Sequence, residues 1–180
     1  MIFVPNLAII AGTGNKSGKT SMACRIIEQF RHTGIVAVKI TPHLHIATPG
    51  LIEVERNQGY DIFQETNPGT DKDTSRMLKA GASGVYYARA EDEYLAETFG
   101  RIMELVPEGA PVVCESPALR YSAEPGLFII MTSDINNNQK DIKLLLELPH
   151  VEFNLEKLAL NNELPVSFRD GRWVCWQYGH

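Results

Sequence analysis

The chain has 180 residues, 44% of them hydrophobic and 22% charged, which suits a single globular domain spanning residues 1–180. A formal net charge of −5 excludes the basic field that phosphate-backbone binding requires, so no nucleic-acid partner is expected. Because no apolar run approaches the roughly 18 residues of a membrane span, and MIFVPN lacks a signal-peptide pattern, we expect a cytoplasmic protein with no membrane partner.

The first part of the chain predicts a strand, a helix and a second strand. Residues 7–11 form an apolar run typical of a buried strand, and apolar spacing on one face predicts a helix from Lys19 to His32. The run IVAVKI over 35–40 predicts the second strand, with Lys39 at its end. Between 41 and 70, repeated Pro and Gly predict loops with at most short pieces of structure, and so long a loop is usually functional or mobile.

The second part continues the alternation of helix and strand patterns. Helices are predicted over 71–80, 91–105 and about 138–148, and strands over 85–89, 111–116 and 127–134. Such alternation predicts an α/β fold, with a mostly parallel, doubly wound sheet and helices on both faces. Ligands of such sheets bind at the carboxyl ends of the strands.

A C-terminal extension over about 150–180 breaks this alternation. LPVSF and RWVCW flank Asp170-Gly171, which predicts a β-hairpin. Trp173 and Trp176 are interpreted as packing and edge-protecting residues in preference to base-stacking ones.

The stretch GTGNKSGKTS lies between the first strand and the first helix, where a phosphate-binding loop belongs. Its ten residues are the predicted nucleotide-binding set: Gly12, Thr13, Gly14, Asn15, Lys16, Ser17, Gly18, Lys19, Thr20 and Ser21. Lys19 would contact the β- and γ-phosphates of GTP or ATP, and the Thr20 hydroxyl would help to hold Mg²⁺. Thr13 stands where the usual G-x-x-x-x-G-K-[ST] pattern begins with glycine, so the loop is a variant. The alternative is a plain strand-to-helix turn with Asn15 or Ser17 as N-cap.

Two charged residues at strand ends are candidates for catalysis. Glu115 ends an apolar strand, where a Walker B-type carboxylate could bind Mg²⁺ directly or through water, although a solvated acid at a strand end is the alternative. Lys39 could face phosphate or an anionic substrate, and the alternative is a surface lysine.

Other polar residues carry weaker signals. Asp134 follows a strand and could accept hydrogen bonds from guanine, although the usual Asn-Lys-x-Asp signature is absent. Asp73 and Arg76, three apart on a helix, predict a surface ion pair. His43 and His45 alternate as a metal pair can, but without further clustered ligands they are interpreted as loop residues.

The run KDTSRMLKAGA, from Lys72 to Ala82, resembles the K-D-S-x-R-x-x-x-A-G-A run of the molybdopterin-guanine dinucleotide biosynthesis protein B (MobB) family. The order of other features agrees over roughly residues 6–148: a phosphate loop, a strand ending in Lys-x-Thr-x-His, and strands ending in Glu115 and in Ser133-Asp134. The resemblance implies a P-loop NTPase fold, binding of guanine nucleotide with Mg²⁺, weak GTP hydrolysis, dimers, and an accessory role in nucleotide attachment to the molybdenum cofactor. By position, Lys19 and Thr20 would hold phosphate and metal, while Asp73 and Glu115 would face the metal or the attacking water.

The chain also departs from that family. Lys16 stands where the family has glycine, the loop after His43 is longer, and Pro117 follows Glu115-Ser116 where the family has Glu-Gly. The loop itself is similar to the G-T-x-x-x-x-G-K-T of dethiobiotin synthetase, which uses ATP to activate a carboxylate. The alternatives are therefore an ATP-dependent small-molecule ligase or kinase, and a nucleotide-gated sensor without turnover; the small-molecule or protein partner is not named by the sequence.

Overall fold

The computed structural model describes residues 1–14, 16–43, 49–135, 142–158 and 163–176. In chain order its elements are β1 (Ile2–Gly12), α1 (Lys19–Phe30), β2 (Val36–Thr41), β3 (Leu51–Asn57), β4 (Tyr60–Glu65), α2 (Asp73–Lys79), β5 (Gly84–Ala90), α3 (Leu95–Leu105), β6 (Val112–Glu115), β7 (Ala123–Thr132), α4 (Lys143–Leu146), β8 (Val151–Asn154), α5 (Leu155–Leu158), β9 (Val166–Arg169) and β10 (Arg172–Cys175).

Eight of these strands form one sheet, in the order β3-β4-β5-β2-β6-β1-β7-β8. The six strands from β5 to β8 in that order are parallel to one another. β4 and β3 extend the sheet beyond β5 in antiparallel fashion. The predicted mostly parallel α/β sheet is therefore confirmed, and the carboxyl ends of its six parallel strands share one edge.

The prediction of loops across 41–70 was wrong for β3 and β4, which form an antiparallel pair. Gly50 and Gly59 have φ values of 112° and 84°, so each supplies a left-handed backbone at a strand boundary. These glycines therefore mark strand ends, and their presence did not mean that the segment lacks strands. His45, in this same stretch, lies outside the described residues.

Both faces of the sheet are covered, because successive strand residues point to opposite sides. On one face Leu7 and Ile9 of β1 belong to a buried cluster with Phe99 and Ile102 of α3. On the other, Ala8 and Ile10 of β1 belong to a cluster that includes the apolar face of α1. Helices on both faces are therefore confirmed. No helix in the described ranges is long and apolar enough to cross a membrane.

Several boundaries differ from the predicted ones. β1 begins at Ile2 and β7 at Ala123, earlier than expected, because their first residues pair with each other. Of the helix predicted over about 138–148, only Lys143–Leu146 is helical in the part that the structure describes; residues 136–141 lie outside it. β8 and α5 were not predicted.

The predicted C-terminal hairpin is confirmed. β9 and β10 pair antiparallel around Asp170 and Gly171, whose φ values of 51° and 72° fit a tight hairpin turn. Trp173 is buried, and its indole N–H donates to Asn6 O at 2.8 Å and Val112 O at 3.2 Å. Trp176 is about half exposed, so the packing interpretation holds for Trp173 only.

Candidate functional site

The loop between β1 and α1 is anchored to the sheet and turns tightly. Thr13 N donates to Met131 O of β7 at 3.0 Å. Gly12 is in such close contact with Ser17 that a Cβ at position 12 would collide with the Ser17 hydroxyl. Lys16 adopts a left-handed φ of 62°, a conformation that costs energy for a residue other than glycine. Asn15 lies outside the described residues.

The N-cap residue of α1 gives the helix no side-chain cap. It is Gly18, with φ of 93°, and it makes no side-chain capping hydrogen bond. The alternative with Ser17 as a capping residue is therefore wrong: its hydroxyl donates to Gly14 O at 3.0 Å. The first turn of α1 contains no acidic residue of its own, so no carboxylate within the helix offsets the positive end of its dipole.

Lys19, in the first turn of α1, folds back over the loop. Its Nζ donates to Gly14 O at 2.7 Å and to Ser17 Oγ at 3.4 Å. An ammonium and the end of a helix dipole are thus brought together around the same turn. This arrangement favours an anion at the loop.

A hydroxyl, a carboxylate and a second ammonium meet beside the loop. Thr20 Oγ1 donates to Glu115 Oε2 at 2.8 Å, linking α1 to the end of β6. Lys39 lies opposite Glu115 in the parallel register of β2 and β6, and its Nζ is 3.3 Å from Glu115 Oε1. The predicted strand-end residues therefore converge, and neither is a solvated surface group: both are largely buried.

Asp73 completes this group from the first turn of α2. Its carboxylate pairs directly with the Lys39 ammonium, and Arg76 Nη1 lies 3.8 Å from its other oxygen, as predicted from their spacing. Burial raises the pKa of Asp73, but the hydrogen bond and charge of Lys39 outweigh it and hold that pKa below its ordinary value. For Lys39, burial lowers the pKa, and the charges of Glu115 and Asp73 overcome it, leaving a raised pKa. We call Thr20, Lys39, Asp73 and Glu115 the polar cluster.

The polar cluster supplies oxygen donors suited to Mg²⁺. Thr20, Asp73 and Glu115 contribute one hydroxyl and two carboxylates, and a bound nucleotide would add phosphate oxygens. No set of three or more His, Cys, Asp or Glu residues with metal-binding proximity occurs in the described ranges. Mg²⁺ commonly uses one or two carboxylates together with phosphate and water, so this donor set fits it. The Lys39 ammonium pairs with both carboxylates, so a metal cation would compete with it for their oxygens.

A cavity of about 480 Å³ runs from the loop past the polar cluster. Gly12, Lys19, Lys39 and Glu115 line one end of it. Its far wall is mainly apolar, built from Leu95, Ala118, Ile142 and Leu145, with polar groups from Thr41, His43, Asp92, Ser116 and Tyr121. Sequence reasoning did not single out this wall, because its residues come from four separate segments with no shared motif.

Asp134 lies elsewhere along the same sheet edge. Its Oδ1 accepts from Asn154 Nδ2 at 3.0 Å, and its backbone N donates to Glu156 Oε2 at 3.2 Å. The hydrogen bond from Ser133 to Glu156 is the chief cause that lowers the pKa of that glutamate. Leu155 of α5 packs over Gly18, so this second polar group adjoins the loop from the side of β7 and β8. Asp134 is not among the residues that line the cavity.

Comparisons with protein-family models, curated proteins and solved structures find no match to this chain. The resemblance to the MobB family therefore stays a prediction, as does the similarity of the loop to that of dethiobiotin synthetase.

Proposed function

We propose that the chain is a P-loop nucleotide-binding protein that holds the polyphosphate of GTP or ATP at residues 12–21 and hydrolyses it slowly. The observation that carries the proposal is the Lys19 ammonium lying over a turn that leads into α1 at Gly18, an N-cap residue without a capping side chain. In this proposal the protein has the MobB-like accessory role that the sequence resemblance implies.

Phosphate would add a charged partner for Lys19. Two hydrogen bonds of its ammonium go to a carbonyl and a hydroxyl of the loop, both neutral. A phosphate oxygen forms a charge-assisted hydrogen bond roughly twice as strong as a neutral one, which favours phosphate at this position. The first turn of α1 contains no acidic residue of its own that would repel the phosphate.

The polar cluster would position Mg²⁺ and water beside the phosphate that reacts. Thr20 and Glu115 would hold Mg²⁺, whose charge stabilises the negative charge that builds up on the phosphate during transfer. Asp73 lies on the other side of Lys39 and, being more exposed than Glu115, is the carboxylate better placed to orient water. Lys39 holds the two carboxylates together while no cation occupies the site.

A guanine base is the favoured choice because of the group around Asp134. Asp134 is exposed at the carboxyl end of β7, next to Asn154 of β8, and Leu155 connects this region to the loop at Gly18. An exposed carboxylate can accept from two N–H groups on one base edge, as guanine presents.

A second candidate function is ATP-dependent transfer to a small molecule. The observation that favours it is the cavity of about 480 Å³, which joins Lys19 and Lys39 to an apolar wall large enough for a second substrate. Under this alternative Lys39 would face the acceptor instead of only bridging carboxylates. A sensor that binds nucleotide without turnover is the third candidate.

The test of phosphate binding is Lys19→Ala, with the exposed Lys79→Ala as matched control. Loss of a charge-assisted contact should weaken binding of Mg-GTP and Mg-ATP by roughly 10- to 100-fold in titration calorimetry, while far-ultraviolet circular dichroism is unchanged. Lys79→Ala should bind as the parent protein does. Equal affinity in the Lys19→Ala variant would overturn the proposal.

The candidate functions are separated by nucleotide preference and turnover. A protein that recognises guanine binds GTP more tightly than ATP, and Asp134→Ala should remove that difference in affinity. A ligase instead binds ATP more tightly, or binds the two nucleotides equally. Phosphate release that begins only on adding a small carboxylic or amino substrate supports transfer. Binding with no release under any of these conditions supports the sensor.

A further inference from the structure

A buried arginine lies far from the phosphate loop. Arg120 belongs to the short 3₁₀ segment Ala118–Tyr121 between β6 and β7 and is only 4% exposed. Its Nη1 is 3.2 Å from Met1 Sδ and 3.4 Å from Ala123 O, and its guanidinium stands 5.5 Å from the centre of the Phe128 ring. Its Nε is buried without a hydrogen-bond partner in the part of the chain that the structure describes.

The charge of this arginine has no anionic partner among the residues that the structure describes. None of the ion pairs among the described residues includes it. A sulfur and one long carbonyl contact are weak acceptors, and a cation–π contact offsets only part of the cost of removing a guanidinium from water. Buried charges are normally paired, so Arg120 lacks the anion that its environment requires.

A cavity of about 370 Å³ adjoins Arg120. It lies at the starts of β7 and β8, whereas the phosphate loop follows the end of β1, so the two sites occupy opposite edges of the parallel sheet. About half of its wall is apolar, and Pro125, Leu127, Phe128, Pro149 and Val151 contribute to that part. Its volume falls within the range of small-molecule sites.

We propose that this cavity is a second binding site, for a small organic monocarboxylate with an apolar body. The guanidinium of Arg120, which lines the cavity, carries planar N–H donors that match the oxygens of a carboxylate. The apolar wall accommodates the rest of the ligand. We call this the Arg120 site.

Charges around the Arg120 site favour a single negative charge over two. Glu124, which is exposed, also lines the cavity and repels a phosphate dianion more than a monocarboxylate. His150 lines it too, but its Nδ1 lies 2.7 Å from Leu148 O and its Nε2 lies 3.2 Å from Glu152 Oε1. Both ring nitrogens thus have protein partners, which leaves Arg120 as the group that receives the anion.

The test uses hexanoate, benzoate and inorganic phosphate as probes of the full chain in a carboxylate-free chloride buffer. Calorimetry or ligand-observed NMR should show that hexanoate and benzoate bind, and more tightly than phosphate. Arg120→Met keeps the length and apolar stem of the side chain but removes the donors, and should weaken carboxylate binding about tenfold or more. The comparison with phosphate uses the Lys19→Ala variant, because the phosphate loop of the parent protein is itself expected to bind phosphate.

Each outcome decides the matter. No binding of either carboxylate at tens of millimolar, or equal binding by the Arg120→Met variant, overturns the proposal. Tighter binding of phosphate than of hexanoate by the Lys19→Ala variant overturns the choice of ligand class. Should the Arg120→Met variant fail to fold, Glu124→Gln decides instead: removing this exposed charge should tighten hexanoate binding about two- to fivefold, and unchanged affinity refutes the site.

Discussion

Lys39 bridges two carboxylates, and its replacement by methionine should destabilise the fold. The side chains of Lys39, Asp73 and Glu115 are 16%, 37% and 7% exposed, so Glu115 would remain as a buried charge with no cation beside it. Breaking a buried pair costs 3–5 kcal/mol, and because Asp73 is partly hydrated we expect the low end, about 3 kcal/mol. That is a large fraction of the roughly 5–15 kcal/mol that stabilises a typical domain.

The measurement is urea unfolding at pH 7, followed by circular dichroism. The double variant Lys39→Met/Glu115→Gln removes the stranded charge and should regain about 1–2 kcal/mol of the loss. Lys79→Met, an exposed lysine on α2, is the control and should change the unfolding free energy by less than about 0.5 kcal/mol. A loss below about 1 kcal/mol for Lys39→Met, or no recovery in the double variant, would refute the reasoning.

Three further outcomes are expected. Gly18→Ala should lower the unfolding free energy by about 1–3 kcal/mol, because φ is 93° and the new Cβ would lie 2.6 Å from a leucine side chain. Gly100 lies in open space on α3, so Gly100→Ala should be neutral or stabilising in the same urea assay. Trp173→Phe should lose about 1–2 kcal/mol with its two N–H···O contacts, while Trp176→Phe should be nearly neutral; similar losses would contradict the assigned packing. The pKa of Asp73 in the folded protein is lowered from its ordinary value of 3.8, so the ionised carboxylate stabilises the fold. This contribution is present above pH 3.8 and is lost as the pH falls through the lowered pKa. Asp73→Asn should therefore flatten this part of the acid-unfolding curve.

The parallel core was predictable because its strands are continuous apolar runs separated by helical spacing. β1, β2, β6 and β7 are almost wholly buried in their central parts, so composition alone reveals them. β3 is mostly exposed and carries three charged residues, and Asp61, Gln64 and Glu65 interrupt the apolar residues of β4, so neither has a continuous apolar run to detect. The Gln58-Gly59 pair between them is the turn signal that could have exposed the hairpin.

The site was predictable residue by residue but not as an arrangement. Lys19, Lys39 and Glu115 were found from their places beside a strand end or helix start, and Asp73 from the resemblance to the MobB family. That Lys39 pairs with both carboxylates depends on the strand order β5-β2-β6, which brings distant segments side by side. Arg120 has no motif, since its distinction is burial without a counter-charge, a property of three-dimensional packing.

β3 is the edge strand at one end of the sheet, and it is poorly suited to pairing with a further strand. β3 presents Glu53, Glu55 and Arg56 in alternation with apolar residues, and its pairing with β4 is interrupted by a bulge between Glu53 and Glu55. Charge and irregularity of this kind discourage edge-to-edge polymerisation. Copies of this chain should therefore not associate through the β3 edge at high concentration. Any growth of the sheet into fibrils by strand addition would have to begin at another part of the molecule.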